Sequence, residues 1–322
     1  MPNLACVYHS RRALSCILLV LAVAESQRAV GDCQGPIIFS SNRTGTDELY
    51  AIGSDGTGER RLTFANLPDD FEPFDFRAED YEEFLKRVEH SHFPDLAPDG
   101  ERILFQGNRL GEGRGLYVLT CGTGNIKQIV PGSDTSISRW SPDGDRIAFV
   151  QSGEFFLVGA DGENRTKIDG AFGNFPAWSP DGAEMAFSGK GDIFKVDLMS
   201  GRVQQLTHFA EGDTYSEGDT WSQAPHWSPD GQYIAFDKVE NGNFDIFVMR
   251  ADGSNLQRIT HSDRVEARPV WSPDGRKIAF HGNANESGSP NFEIYVMDAG
   301  GDNVVRLTTN DSFDAHPHWG AQ

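Results

Sequence analysis

Beyond residue 24 the chain carries eight histidines: His90, His92, His208, His226, His261, His281, His316 and His318. Two pairs, His90/His92 and His316/His318, are spaced as His-x-His, which puts both imidazoles on one face of a strand. Neutral imidazoles joined by a carboxylate form the mixed N/O donor set that zinc or manganese takes. Asp95 and Asp314 stand close to these pairs in sequence, so His90, His92, His316 and His318 are candidate metal ligands if the two pairs meet in space. The same side chains equally suit hydrogen bonding in a polar interior, and both readings stay open here. Arg139, His226 and His281 complete the set of candidate ligand-binding residues.

Other chemistries leave no trace. No Gly-x-Ser-x-Gly nucleophile elbow occurs, so a serine peptidase is not expected. Acidic loops abound, yet none has the Asp-x-Asn-x-Asp-Gly calcium pattern with its distal Glu; Asp213 to Gly218 comes nearest and lacks a suitable donor at Tyr215. No motif demands a cofactor, and a divalent cation (Ca, Zn or Mn) is the one candidate.

The elements that must position these groups repeat along the chain. Trp-Ser-Pro-Asp-Gly starts at Trp140, Trp178, Trp227 and Trp271, with a degenerate copy at Leu96-Ala97-Pro98-Asp99-Gly100. Each is followed by an apolar segment of the Ile-Ala-Phe type, seen six times, at Ile37, Ile103, Ile147, Met185, Ile234 and Ile278. A third segment recurs at Glu48, Gly115, Glu154, Asp192, Asp245 and Glu293, and the fullest copy ends in Arg306-Leu307-Thr308. Four short apolar segments bounded by turn residues predict four strands per module. A spacing of 38 to 49 residues between anchors fits a propeller blade.

The expected fold is therefore all-β: a six-bladed propeller of four-stranded blades over residues 36–322. The unpartnered Pro317-His318-Trp319 would begin a seventh module, so the C-terminal strand is expected to join blade one and close the ring. That closure brings His316 and His318 beside His90 and His92. Asp95 and Arg139 hold equivalent places in adjacent blades and are expected to pair. Residues 64–92 form an acidic insertion, with an amphipathic helix predicted from about Ala78 to His90 by the spacing of Tyr81, Phe84, Leu85 and Val88.

Residues 1–24 read as a signal peptide: Arg11-Arg12, an apolar run from Ala13, and the small-x-small end Ala22-Val23-Ala24. Residues 25–35 are a short lead. Cleavage removes two arginines and no acid, taking the net charge from −20 to −22. Such a surface repels nucleic acid and anionic membrane and favours a partner of cationic character. Cys33 and Cys121 are then left in an oxidising compartment, periplasmic or extracellular, where they are the disulfide candidates.

The combined repeat, Pro-x-Trp-Ser-Pro-Asp-Gly, Ile-Ala-Phe, Ile-Tyr-Val-Met and Arg-Leu-Thr, resembles that of the TolB-like six-bladed propellers over about Pro36 to Trp319. TolB itself carries an α/β domain ahead of its propeller that residues 25–35 do not match, so the resemblance extends to the propeller and not to the Tol-system role. It implies an exported, non-catalytic module that binds a protein or small ligand with its channel-face loops. The alternative is a metal-dependent carbohydrate lyase or hydrolase using the channel-face histidines, with Arg43 or Arg109 neutralising a substrate carboxylate.

Overall fold

The computed structural model describes residues 37–63, 90–109, 112–132, 135–208, 224–240, 243–283 and 291–320. The expected signal peptide, the lead with Cys33, the predicted helix short of His90, and Asp213 to Gly218 lie outside these residues. Blade one contains β1 (Ile37–Ser41), β2 (Glu48–Ile52) and β3 (Arg60–Arg61). Blade two is β4 (His90–Leu96), β5 (Arg102–Arg109), β6 (Gly113–Thr120) and β7 (Asn125–Pro131). Blade three is β8 (Thr135–Trp140), β9 (Arg146–Gln151), β10 (Glu154–Gly159) and β11 (Thr166–Phe172). Blade four is β12 (Asn174–Trp178), β13 (Glu184–Gly189), β14 (Asp192–Asp197) and β15 (Val203–Gln205). Blade five is β16 (His226–Trp227), β17 (Tyr233–Glu240), β18 (Asn243–Arg250) and β19 (Gln257–Arg258). Blade six is β20 (Glu266–Trp271), β21 (Lys277–Asn283), β22 (Phe292–Asp298) and β23 (Val305–Arg306).

The last strand, β24 (Asp314–Trp319), closes the ring as expected: it pairs antiparallel with β1, Ile37 facing Trp319 and Ser41 facing Asp314. Blade one is thus ordered β24-β1-β2-β3, matching the first-to-fourth order of the other five sheets. Closure removes the unpaired inner edge that β1 would otherwise present.

Each sheet stacks one aromatic pair between the buried Phe of the Ile-Ala-Phe segment and the aromatic facing it on the third strand, of which Phe156 and Phe194 are half-buried. Ring centroids lie 5.8 Å apart for Phe39 and Tyr50, 5.5 Å for Phe149 and Phe156, and 5.4 Å for Phe280 and Tyr295. Full burial of such a side chain contributes roughly 1.5–3 kcal/mol. Trp140, Trp178, Trp227, Trp271 and Trp319 each enter a different apolar cluster at a seam between adjacent blades. Trp227 also donates from Nε1 across its seam to the Ala177 carbonyl at 3.1 Å.

The polar repeats are satisfied locally. In blade six the Ser272 hydroxyl donates to Asp274 at 2.6 Å and accepts from the Lys277 amide, Asp274 accepts from the Arg276 amide, and Gly275 turns the chain at φ +69°. Side chain and backbone thus close the turn without outside help. On the fourth strand Thr308 accepts from the Ile294 amide and donates to the buried Glu293, which also takes a 2.6 Å bond from Arg306. Thr63, Glu48 and Arg61 repeat this clamp in blade one.

One boundary is corrected. The insertion expected over 64–92, with its helix reaching His90, ends before that residue: His90, Ser91 and His92 already pair with Asn108, Gly107 and Gln106 in β4. The ladder hydrogen bonds of β5 continue outward and claim these residues.

Candidate functional site

The innermost strands are bent where they reach the axis. Phe93, Phe175, Arg268 and His316 have φ of +52°, +56°, +58° and +56°, and each immediately precedes a proline. Pairing register shifts at the same point in β4, β12, β20 and β24, and β8 shifts around Ile137. A proline has no N–H for the ladder, so the strand bulges there, and the bulge re-aims the preceding side chain. The left-handed backbone costs each of these bulky residues roughly 1–2 kcal/mol.

The re-aimed side chains meet across the ring. Ile137, Phe175 and Ala224, from blades three, four and five, form one apolar cluster with Phe93 of blade two. Arg268 of blade six lies with its guanidinium 4.1 Å from the Phe175 ring centroid and 5.6 Å from that of Phe93. Phe93 and His316 of blade one stand 4.1 Å apart. Blades two and four touch blade six only across the axis, so these six residues, one per blade, cross the channel as a layer.

Two residues further along each strand a second layer carries Asp95, Arg139, His226 and His318. The expected pair between Asp95 and Arg139 is present at 3.7 Å, and His318 Nδ1 approaches the same carboxylate oxygen to 3.0 Å. The other oxygen of Asp95 accepts the Trp140 amide at 2.6 Å. Burial pushes the Asp95 carboxyl up to about 6 against the pull of Arg139 and the Trp140 amide. His226 is lowered to about 3 by burial, then by His318 and Arg139; His318 is lowered to about 3 by burial, then by Arg139. Burial also holds His281 and His316 well below the usual imidazole range. These four imidazoles are neutral at neutral pH, and the fixed positive charges of the axis are Arg139 and Arg268.

The remaining sequence-derived residues surround these layers. His281 is on β21, at the end of a second strand, and its Nδ1 accepts the His316 amide at 3.2 Å. Asp314 is fully buried and bound by Arg43 at 2.8 Å and Asn310 at 2.7 Å, while Arg43 also reaches Glu59 and lies over the Tyr50 ring. Its role is to fix β24 to blade one. His90 and His92 stand 5.2 Å apart, and His92 Nδ1 is 3.7 Å from Asp47. The four metal candidates are therefore neighbours that face different partners. Among the described residues no group of three or more His, Cys, Asp or Glu side chains is arranged to hold a metal ion. His208 and His261 are exposed. Cys121, just past β6, is disulfide-bonded; its expected partner Cys33 lies outside the described residues.

Sequence reasoning overlooked Phe93, Ile137, Phe175, Ala224 and Arg268. A signal was there: five innermost strands read x-Pro-x followed by Leu or Trp, and the first x is the residue the bulge turns to the axis.

A sequence model of the TolB beta propeller domain matches residues 213–322. Among solved structures, a putative TolB from Agrobacterium tumefaciens is 22% identical, covering 88% of this chain and 97% of that one at a TM-score of 0.61. TolB from Acinetobacter baumannii is 18% identical, covering 85% and 79% at 0.54. A chain of a nidogen/laminin complex superposes at 0.60 with 10% identity, covering 89% and 98%. No curated protein matches the sequence. The repeat and the ring order of the blades make the chain a six-bladed β-propeller, and over its last two blades its sequence matches the TolB beta propeller domain.

Proposed function

We propose that this protein is an exported, non-catalytic binding module whose channel-face loops engage a protein or small ligand of cationic character. One observation carries the reading: the apolar cluster of Phe93, Ile137, Phe175 and Ala224 crosses the axis and closes it as a through-passage, so the extended recognition surface is the loops at the channel mouth. The long connections 64–89, 209–223 and 284–290 join strand ends on that one face, where a rigid scaffold presents variable loops. Asp314, one of the candidate site residues, is occupied by Arg43 and Asn310 in holding β24 to blade one. Export is supported by the apolar run from Ala13 to Ala24 and by the disulfide at Cys121. The acidic surface favours cationic partners and makes binding weaken as salt rises.

The test replaces residues 64–89 by a short Gly-Ser linker in the full chain. Wild type and variant are compared for melting temperature, for binding to a lysine-rich peptide between 50 and 500 mM salt, roughly spanning strong and weak screening, and for turnover of an oligouronate. The expected result is unchanged melting with lost, salt-sensitive peptide binding. Turnover of the oligouronate by wild type would overturn this reading in favour of the lyase.

A further inference from the structure

The Arg268 side chain is half-buried and opens onto the axial cavity, and it makes no hydrogen bond or ion pair within 4 Å among the described residues; its contacts are the faces of Phe175 and Phe93. Asp237 is the carboxylate that acts on it, and one oxygen of Asp237 accepts the backbone amides of Ala224 and of Arg268 itself. Arg139 faces the same space, with Asp95 at 3.7 Å and one bond to the Ser138 carbonyl. The two cations repel: burial first, and then Arg139, lower the Arg268 guanidinium to about 10, still fully charged at neutral pH. Between them is a cavity of about 20 Å³ lined by Phe93, Arg139, Ala224, His226, Arg268 and His316.

A guanidinium that opens onto a small cavity with no protein acceptor has its fork of donors free for an anion. From this juxtaposition we infer that the axis is a binding site for a single carboxylate group, gripped by the fork of Arg268 over Phe175 and drawn in by Arg139. Size selects the class. About 10–15 Å³ of such space takes one water-sized atom, so the cavity favours a small planar carboxylate over the bulkier tetrahedral phosphate or sulfate. Shape agrees, because a planar carboxylate matches the guanidinium fork while the aromatic ring backs the cation. The source is a free small acid or a carboxylate borne by a bound polypeptide.

The test follows thermal melting of the full chain at constant ionic strength in chloride, with titrations of formate, acetate, sulfate, and a short peptide with either a free or an amidated C-terminus. Formate and acetate are expected to raise the melting temperature saturably, with sulfate matching chloride. A free small acid as source predicts that the peptide acid does no better than acetate. A polypeptide source predicts that the peptide acid binds at least about tenfold more tightly and that its amide does not bind. Arg268→Gln abolishes the carboxylate response and, with the uncompensated charge gone, melts in chloride no lower than wild type. Arg139→Gln, which leaves the bulge untouched, weakens acetate binding about tenfold. The inference is overturned if no carboxylate stabilises wild type beyond chloride, if Arg268→Gln or Arg139→Gln responds as wild type does, or if Arg268→Gln melts far below wild type in chloride.

Discussion

In the Ser-Pro-Asp-Gly turns of blades three to six, the same serine and aspartate make the same short bond, at 2.5–2.6 Å, in every copy. Along the axis the equivalent positions of the six blades hold His316, Phe93, Ile137, Phe175, Ala224 and Arg268: an apolar run of four differently sized side chains between an imidazole and a guanidinium. Turn positions face only their own blade, so one solution serves each copy. Axial positions face one another, so a six-fold repetition of any bulky or charged residue would clash or repel. The repeat maintains the ring, and its departures at the axis give this ring its own chemistry.

The comparison breaks most severely where the ring is opened. A chain ending at Phe313 lacks β24 and the Asp314 anchor, and it is expected to lose cooperative unfolding altogether, read by circular dichroism during a thermal melt. A truncated chain that melted like the full one would mean that blade one stands without its inner strand.

A smaller effect separates axis from rim by pH. His226 has its folded value lowered from the ordinary 6.5 to about 3, so its contribution is whole above pH 6.5 and is lost as pH falls toward 3, because the unfolded chain takes up a proton that the folded one refuses. Relative to His226→Gln, wild type should therefore lose about 1.4 kcal/mol per pH unit below 6.5, or about 2 kcal/mol from pH 7 to pH 5. Urea denaturation at the two pH values measures it; a pH-independent difference would place this imidazole in water.

Smallest is the rim itself. Asp274→Ala removes bonds to Ser272 and the Arg276 amide at a site where water can replace them, costing about 1 kcal/mol. Asp143→Ala, Asp181→Ala and Asp230→Ala should cost the same within a few tenths of that, and unequal costs would show that the turns are not independent copies.

Much of this ring is legible before any coordinates. Six Ile-Ala-Phe segments and the orphan Pro317-His318-Trp319 count the blades and place the closing strand, because each blade must fill the same wedge against its neighbour. Asp95, Arg139, His226 and His318 come together because each stands directly before the anchoring Leu or Trp of an inner strand. Arg268 and Phe175 escape such a reading because a strand pattern assumes alternation, and only the left-handed bulge before proline turns them inward. The His-x-His spacing misleads for the same reason: the bulge at His316 breaks the alternation that would have aimed both imidazoles of the pair one way.

The central claim, that the axis is a carboxylate site built from unlike blades, is tested most directly by a crystal structure of the full chain grown in formate. The account predicts planar, two-lobed density between the guanidiniums, with oxygen atoms about 2.8 Å from Arg268 nitrogens. An Arg268 side chain bonded instead to Asp237, with only water beside it, would contradict the claim.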